Sequence, residues 1–267
     1  MSFHIINCEQ GSEEWHNARA GVITASMFCV ARSRVGGLEE KQKVYVEAIK
    51  AGSPVEVACE LAGYKKAPTA EIVRKALAGE QVSDFSEAAK NYAFRTAFER
   101  ISRKPLDEGF ETWQMSRGHD LEPKARDEHQ LQTGLFVRRA GFVVTEDFVF
   151  GASADGLIDP EGGSEYKCLV SPEKLRAVLL DDDIADFVDQ VQGCMWVTGR
   201  KWWHLCFYCP QLDSIDYPLH IVEMQRDDEY INTMERELLQ FKLLVDRYER
   251  QLRGFAVANE APFAKAA

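Results

Sequence analysis

Three polar side chains fall close together in mid-chain: Asp155 in Ser153-Ala154-Asp155-Gly156, and Glu165 and Lys167 in Ser164-Glu165-Tyr166-Lys167-Cys168. Side chains of an extended strand alternate between faces, so Glu165 and Lys167 project to one side and Tyr166 to the other. With Asp155 near the end of the preceding strand, two carboxylates and one ammonium converge. Carboxylate oxygens are what hard divalent cations prefer, and a lysine beside them can orient water or stabilise charge on a phosphate. The chemistry implied is metal-assisted hydrolysis of a phosphodiester. Asp-Gly is also a common hairpin turn and Glu-x-Lys a common exposed strand pair, so the pattern gains weight only if the rest of the chain agrees.

The elements that would position these groups can be read on both sides. Phe142-Val143-Val144 and Phe148-Val149-Phe150 are strand material, while Gly156, Asp159-Pro160 and Gly162-Gly163 supply hairpin turn chemistry. Upstream, helical spacing puts Gly118, Glu122 and Arg126 on one stripe, and Glu122 is the candidate third carboxylate; its plainer reading is an exposed helix acid. Pro123 marks either a kink or the first turn of that helix. Downstream, Ile184, Phe187, Val188, Val191 and Met195 define a helix packed on the sheet, with Gln192 at the edge of its apolar face, where an amide could reach a metal-bound water or the Lys167 amine. Two more strands, Trp202 to Cys209 and Leu219 to Glu223, precede a final helix from about Asp227 to Leu252. His204, His220, Trp202 and Trp203 read as core or sheet-face residues.

Near the N-terminus, Ser12 can cap a short helix with Arg19 near its end, and Gly21 to Ser26 lead into a second helix capped by Thr24 or Ser26. An arginine and a hydroxyl beside a helix start make a phosphate pocket; the simpler alternative pairs Arg19 with a surface carboxylate. Residues 38–105 form a helical tract punctuated by Gly52-Ser53-Pro54, Gly63-Tyr64 and Gly79-Glu80. Its acids and its poor match to any DNA-reading pattern favour a plain helical subdomain over a helix-turn-helix.

A chain of 267 residues with 45% hydrophobic content can bury a sizeable core. No apolar run reaches membrane-spanning length and no basic segment leads into one at the N-terminus, so a soluble cytoplasmic protein with no membrane partner is expected. Seven scattered cysteines suit a reducing compartment, and Cys206-x-x-Cys209 lies in a strand-like run as buried thiols. The net charge of −11 speaks against a nonspecific nucleic-acid coat, since phosphate contacts need Lys and Arg, yet leaves room for a local basic channel.

Taken together, Gly118-x-x-x-Glu122, Ser153-Ala154-Asp155-Gly156, Glu165-x-Lys167, Gln190-Val191-Gln192 with Met195-Trp196-Val197-Thr198, and the opening Trp15-His16-x-x-Arg19-x-Gly21-Val22-Ile23-Thr24-Ala25-Ser26 resemble the lambda exonuclease and YqaJ-type viral recombinase family of the PD-(D/E)xK nuclease superfamily. The resemblance spans nearly the whole chain. It implies an α/β, restriction-endonuclease-like fold: a single exonuclease domain over residues 1–267, with a central mixed β-sheet flanked by helices and a helical insertion at 38–105. It also implies a 5′ to 3′ exonuclease that degrades one strand of linear double-stranded DNA from a 5′-phosphorylated end and leaves a 3′ single-stranded tail. By the same resemblance Glu122, Asp155, Glu165 and the Tyr166 carbonyl hold up to two Mg²⁺, for which Mn²⁺ can substitute. Lys167 and Gln192 place the attacking water; Arg19, Ser26 and Ser153 bind the 5′-phosphate, and Met115 is a strand-separating wedge. A homotrimer ring, a phage-type single-strand annealing protein as partner, and a phage or prophage origin in a bacterial host follow as expectations. Two departures stand out: Ala154 replaces the superfamily's proline before the catalytic aspartate, and the tract between Ser26 and Gly118 is longer than in the lambda enzyme. The rival readings are an endonuclease of the same superfamily, which would cut circular DNA, and a noncatalytic DNA-end or partner-binding module.

Overall fold

The structure, a computed structural model, describes residues 3–106 and 113–260, apart from the side chains of residues 114, 115 and 256–260. The chain divides into two compact units, Met1–Ala31 with Tyr92–Ala267, and Arg32–Asn91. In chain order the elements are β1 (Phe3–Ile6), α1 (Glu13–Arg19), β2 (Ile23–Thr24), α2 (Phe28–Arg32), β3 (Arg34–Gly36), α3 (Glu40–Lys50), α4 (Val55–Ala62), α5 (Glu71–Leu77), β4 (Ser83–Phe85) and α6 (Glu87–Ser102). Then follow α7 (Trp113–Thr133), β5 (Phe142–Thr145), β6 (Phe150–Ala152), β7 (Gly156–Ile158), β8 (Gly162–Lys167), α8 (Pro172–Leu180), α9 (Ala185–Thr198), β9 (Trp202–Tyr208), β10 (Leu219–Gln225) and α10 (Asp228–Glu260). Among the described residues no helix is long and apolar enough to cross a membrane.

The larger unit has the mixed α/β architecture expected, with the strands drawn as two four-stranded mixed sheets, ordered β1-β5-β6-β2 and β10-β9-β8-β7. In the first, β2 runs parallel to β6, so that Ile23 and Thr24 pair with Phe150 and Gly151. In the second, β8 is one of the two inner strands, antiparallel to β7 and parallel to β9, with Glu165 beside Leu205 and Lys167 beside Phe207. Burial on both faces explains the near-continuous apolar run of β9, where Trp203, Leu205, Cys206 and Phe207 are wholly inaccessible. Helix α9 buries Val191, Cys194, Met195, Trp196 and Val197, and α10 buries Ile231, Met234, Leu238, Phe241 and Val245 at helical spacing.

The smaller unit is held by its own cluster, in which Tyr45, Val46, Ala58, Cys59, Ala62, Val73 and Ala76 bring α3, α4 and α5 together beside the β3–β4 pair. Gly63 ends α4 with φ +68°, a left-handed cap that glycine adopts without a Cβ penalty.

Close approach of backbone to an indole fixes the small residues that begin β8. A Cβ added to Gly163 would stand 2.2 Å from the Trp203 ring, whereas one added to Gly118 in α7 meets nothing within 4 Å. Gly163→Ala should therefore cost about 1–3 kcal/mol through overpacking. Gly118→Ala should instead be neutral or stabilising by roughly 0.5–1 kcal/mol, as expected for glycine replaced in a helix interior. Denaturant titrations of the two variants check the contrast, and equal losses would contradict it.

Candidate active site

A cleft of about 470 Å³ on the larger unit brings Glu122, Asp155, Glu165 and Lys167 together with Arg19, Ser26, Ser153 and Gln190. Each arrives on a different element. Helix α7 contributes Glu122, the bend between β6 and β7 contributes Asp155, and β8 contributes Glu165 and Lys167. Gly118, one turn before Glu122, lines the cleft without a side chain to fill it. Pro123 stands inside α7, so the open choice between kink and first turn resolves to an interior proline that withholds one amide just after Glu122.

One oxygen of each carboxylate is held by a donor. Asp155 Oδ2 accepts the Tyr166 backbone N–H at 2.8 Å. Glu165 Oε1 accepts Lys167 Nζ at 2.9 Å and Gln190 Nε2 at 2.5 Å. Glu122 Oε1 is paired with Arg126, which also donates to the Asp155 carbonyl at 3.1 Å. Glu165 Oε2, by contrast, is buried with no partner at all. Among the described residues no three carboxylate, imidazole or thiol groups are already closed into a cation cage. The donor set is the Asp155–Glu165 pair, with Glu122 engaged by Arg126. An orphaned buried carboxylate oxygen beside two further carboxylates is chemistry that fits a hard divalent cation.

Electrostatics give the same answer. Burial, followed by repulsion from Glu165 and Glu122, pushes the Asp155 carboxyl well above its usual range, against the Lys167 charge and the Tyr166 N–H. Burial also opposes the Lys167 charge, but Glu165 and Asp155 outweigh it and hold the ammonium above its ordinary value. A positive ion among these groups would relieve the repulsion that the metal-free carboxylates suffer.

The N-terminal residues form the other wall. Ser12 Oγ accepts the Trp15 N–H and caps α1, whose last residue is Arg19. Arg19 Nη1 donates to Ser153 Oγ at 2.8 Å, Trp15 Nε1 donates to the same oxygen at 2.9 Å, and the guanidinium stacks 4.1 Å above the Trp15 ring. Burial lowers the pKa of this guanidinium, with Tyr92, Glu99 and Glu165 opposing the shift. Ser26 lies in a 3₁₀ turn, Ala25–Met27, that follows Thr24; the Thr24 hydroxyl makes no capping bond to the turn's backbone and meets Ser26 Oγ at 3.4 Å instead.

Gln192 does not reach Lys167: its amide donates to the Gln225 carbonyl at 2.9 Å and accepts the Asp227 N–H at 3.0 Å, tying α9 to the junction of β10 and α10. Gln190 occupies the position instead, accepting Lys167 Nζ at 2.9 Å. Two residues apart on a helix point in nearly opposite directions, and sequence alone does not set the rotation of α9 about its axis. The Met115 side chain, the expected wedge, lies outside the described residues.

Behind β8 runs a buried polar chain that sequence reasoning left unassigned. The Tyr166 hydroxyl meets His129 Nδ1 at 3.0 Å, His129 Nε2 meets His204 Nδ1 at 2.8 Å, and His204 Nε2 meets Glu223 Oε2 at 3.4 Å. His129 follows Glu122 and Arg126 at helical spacing on α7, so one helix face serves the cleft with its first two residues and the sheet's rear with the third.

The sequence profile of the YqaJ-like viral recombinase domain matches residues 14–201, a span that contains all three carboxylates of the cleft, Lys167 and Arg19. Among solved structures, an alkaline exonuclease (LHK-Exo) from Laribacter hongkongensis is similar at a TM-score of 0.65 and 22% identity, over 92% of this chain and 99% of that one. The same exonuclease in complex with dAMP gives a TM-score of 0.63 and 23% identity over the same shares. At these identities the likeness is one of fold. No curated protein sequence matches the chain.

The histidine pair makes the metal-free fold acid-sensitive. Burial, then the neighbouring His204, pushes His129 from 6.5 down to about 4. The native state thus holds a neutral imidazole, while the unfolded chain takes a proton below 6.5. Stability is full above that value and falls as pH drops toward 4, by about 2 kcal/mol between pH 7 and pH 5 for His129 alone. Denaturant titrations in chelator should show this fall, and His129→Gln should flatten it. An identical slope in that variant would refute the assignment.

Proposed function

The chain belongs to the YqaJ-like viral recombinase domain family, and from that premise we propose that it is a Mg²⁺-dependent 5′ to 3′ exonuclease acting on one strand of linear duplex DNA. The observation that carries the reading is the single cleft in which Arg19, Ser26 and Ser153 face Glu122, Asp155, Glu165 and Lys167. A terminal phosphate anchored on the first set would fix a nearby phosphodiester against the second, which is how an end-dependent nuclease differs from one that cuts internally. The dAMP found with the Laribacter exonuclease is the class of product such digestion releases.

Glu122, Asp155, Glu165 and the Tyr166 carbonyl would hold up to two Mg²⁺, with Mn²⁺ as a substitute. When bound, the metal supplies Lewis acidity toward the phosphate and acidifies water. Lys167 orients the attacking water and places a fixed positive charge beside the scissile phosphate. Gln190, bonded to both Lys167 and Glu165, keeps these two groups in register. Arg19, already oriented by Ser153 and Trp15, presents its remaining donors to the 5′-phosphate. The undigested 3′ strand passes, on this reading, to a single-strand annealing protein in a bacterial cytoplasm, and a ring-shaped trimer of the chain would keep the enzyme on its substrate; family resemblance is the support for both.

Linear duplex with a 5′-phosphate should be digested from that end in Mg²⁺ while closed circular duplex stays intact. Lys167→Ala and Asp155→Ala should each lower the rate by about 10²–10³-fold or more, as loss of a charge-stabilising group does. Digestion of the circle would make the enzyme an endonuclease and leave Arg19 without this role. The two glutamines should separate cleanly. Gln190→Leu is expected to reduce activity about 10–100-fold at unchanged stability, as for groups that orient metal ligands. Gln192→Leu should instead cost about 1–3 kcal/mol of stability, because it strands a buried carbonyl and N–H. The reverse pattern in kinetics and denaturant titration would restore Gln192 to the site.

A further inference from the structure

The backbone that links Arg19 to Ser26 is gripped from one side by α6. Glu99 Oε2 accepts the Gly21 N–H at 3.0 Å, Arg100 Nε donates to the Gly21 carbonyl at 2.9 Å, and the Tyr92 hydroxyl accepts the Thr24 N–H at 3.1 Å. Each gripping group is itself held. Glu99 Oε1 accepts Arg95 Nε at 2.9 Å and the Leu106 N–H at 3.1 Å. Arg100 Nη1 donates to Asp246 on α10 at 2.9 Å, and the Tyr92 ring stacks on Phe241 with centroids 5.4 Å apart. Gly21 sits at φ +78°, and a Cβ there would meet Arg100 at 2.7 Å, so the clamp closes directly onto the peptide.

This arrangement is a poor way to obtain stability alone. Glu99 is 7% exposed and Arg100 Nη2 is buried with no partner, and buried ion pairs seldom repay their desolvation relative to apolar packing. What the charges do achieve is to fix both hydrogen-bonding groups of one glycine, while the Tyr92 hydroxyl fixes the next strand's amide. Those groups determine how far Arg19, at the end of α1, stands from Ser26, beyond β2. We propose that Tyr92, Glu99 and Arg100 are positioning residues that hold the Arg19-to-Ser26 segment at the spacing a terminal phosphate needs, and so set the discrimination between phosphorylated and hydroxylated 5′ ends. The inference rests on the phosphate-pocket reading above and extends it to a helix none of whose residues lines the cleft. Glu99 also lies close enough to Arg19 to favour its charge.

The test uses the full chain with Tyr92→Phe, which keeps the Phe241 stack and removes one acceptor, and Glu99→Gln, which keeps shape and removes the charge. Initial digestion rates on 5′-phosphate and 5′-hydroxyl duplexes are compared with binding of the same duplexes by fluorescence anisotropy in Ca²⁺. The preference for the phosphorylated end should fall at least threefold in Tyr92→Phe and about tenfold in Glu99→Gln, wholly through the phosphorylated duplex, with the hydroxyl duplex within twofold of the unaltered enzyme. Arg19→Ala marks complete loss of preference. A ratio unchanged in both variants while Arg19→Ala abolishes it, or an equal loss on both duplexes, overturns the clamp and leaves the pocket standing. No preference in the unaltered enzyme removes the pocket, and the clamp with it.

Discussion

Mutual repulsion among buried carboxylates is the constraint around which the larger unit is built. Asp155 and Glu165 share a recess with Glu122; Lys167 and Arg126 bond to them directly, and Arg19 stands on the opposite wall. Every neighbouring device limits the cost. The Tyr166 N–H reaches Asp155, Gln190 shares the load on Glu165, and Arg126 pins Glu122 while also holding the Asp155 carbonyl. These bonds do not neutralise the cluster, because they leave Glu165 Oε2 without a partner. That unpartnered oxygen, beside two further carboxylates, is what a divalent cation would meet.

The sheet distributes labour through its alternation. Glu165 and Lys167 project from β8 toward the cleft, while Ser164 and Tyr166 project to the rear, where the Tyr166 hydroxyl joins Ser164, His129 and, through it, His204. Tyr166 therefore serves both sides at once: its backbone N–H orients Asp155 and its ring anchors α7 to the sheet. The Arg126 guanidinium, 5.7 Å from that ring, closes the circuit from helix to strand to bend. A shift of α7 against β8 would disturb Glu122, Arg126 and Asp155 together, so the neutral histidine pair has a mechanical role although neither imidazole faces the cleft.

How much of this was legible follows from which forces are local. Strand alternation is local, so the shared face of Glu165 and Lys167 could be read directly, and so could the cap at Ser12 and the stripe of Glu122 and Arg126 on α7. The rotation of a helix about its own axis is a tertiary quantity. Both glutamines of Gln190-Val191-Gln192 are compatible with the apolar stripe of α9, and only packing against β8 and β10 assigns Gln190 to Lys167 and Gln192 to Gln225 and Asp227. His129 and His204 escaped for a similar reason. Their partners are distant in sequence, and a histidine in an apolar strand resembles any other sheet residue until its neighbour across the layer is known. The helices of the 38–105 tract could be read with their turns, but the β3–β4 pair was not read, Ser83–Phe85 being strand where helix was expected, and nothing in the spacing announces a role.

The two walls of the cleft solve the same physical problem with different materials. On the carboxylate wall, charged side chains sit close together, and their partners are hydrogen bonds that a cation or substrate could share. On the Arg19 wall, one cation must be held still while burial works against it. Arg19 is stacked on Trp15 and tethered to Ser153, and its segment is tied down through the peptide groups of Gly21 and Thr24. Fixing the backbone leaves the guanidinium's other donors open toward the recess, whereas pairing it with a carboxylate of its own would have consumed them. The parallel pairing of β2 with β6 then brings this segment beside Ser153, two residues before Asp155, so that the proposed phosphate contact and the proposed metal carboxylate lie within three consecutive residues after one strand.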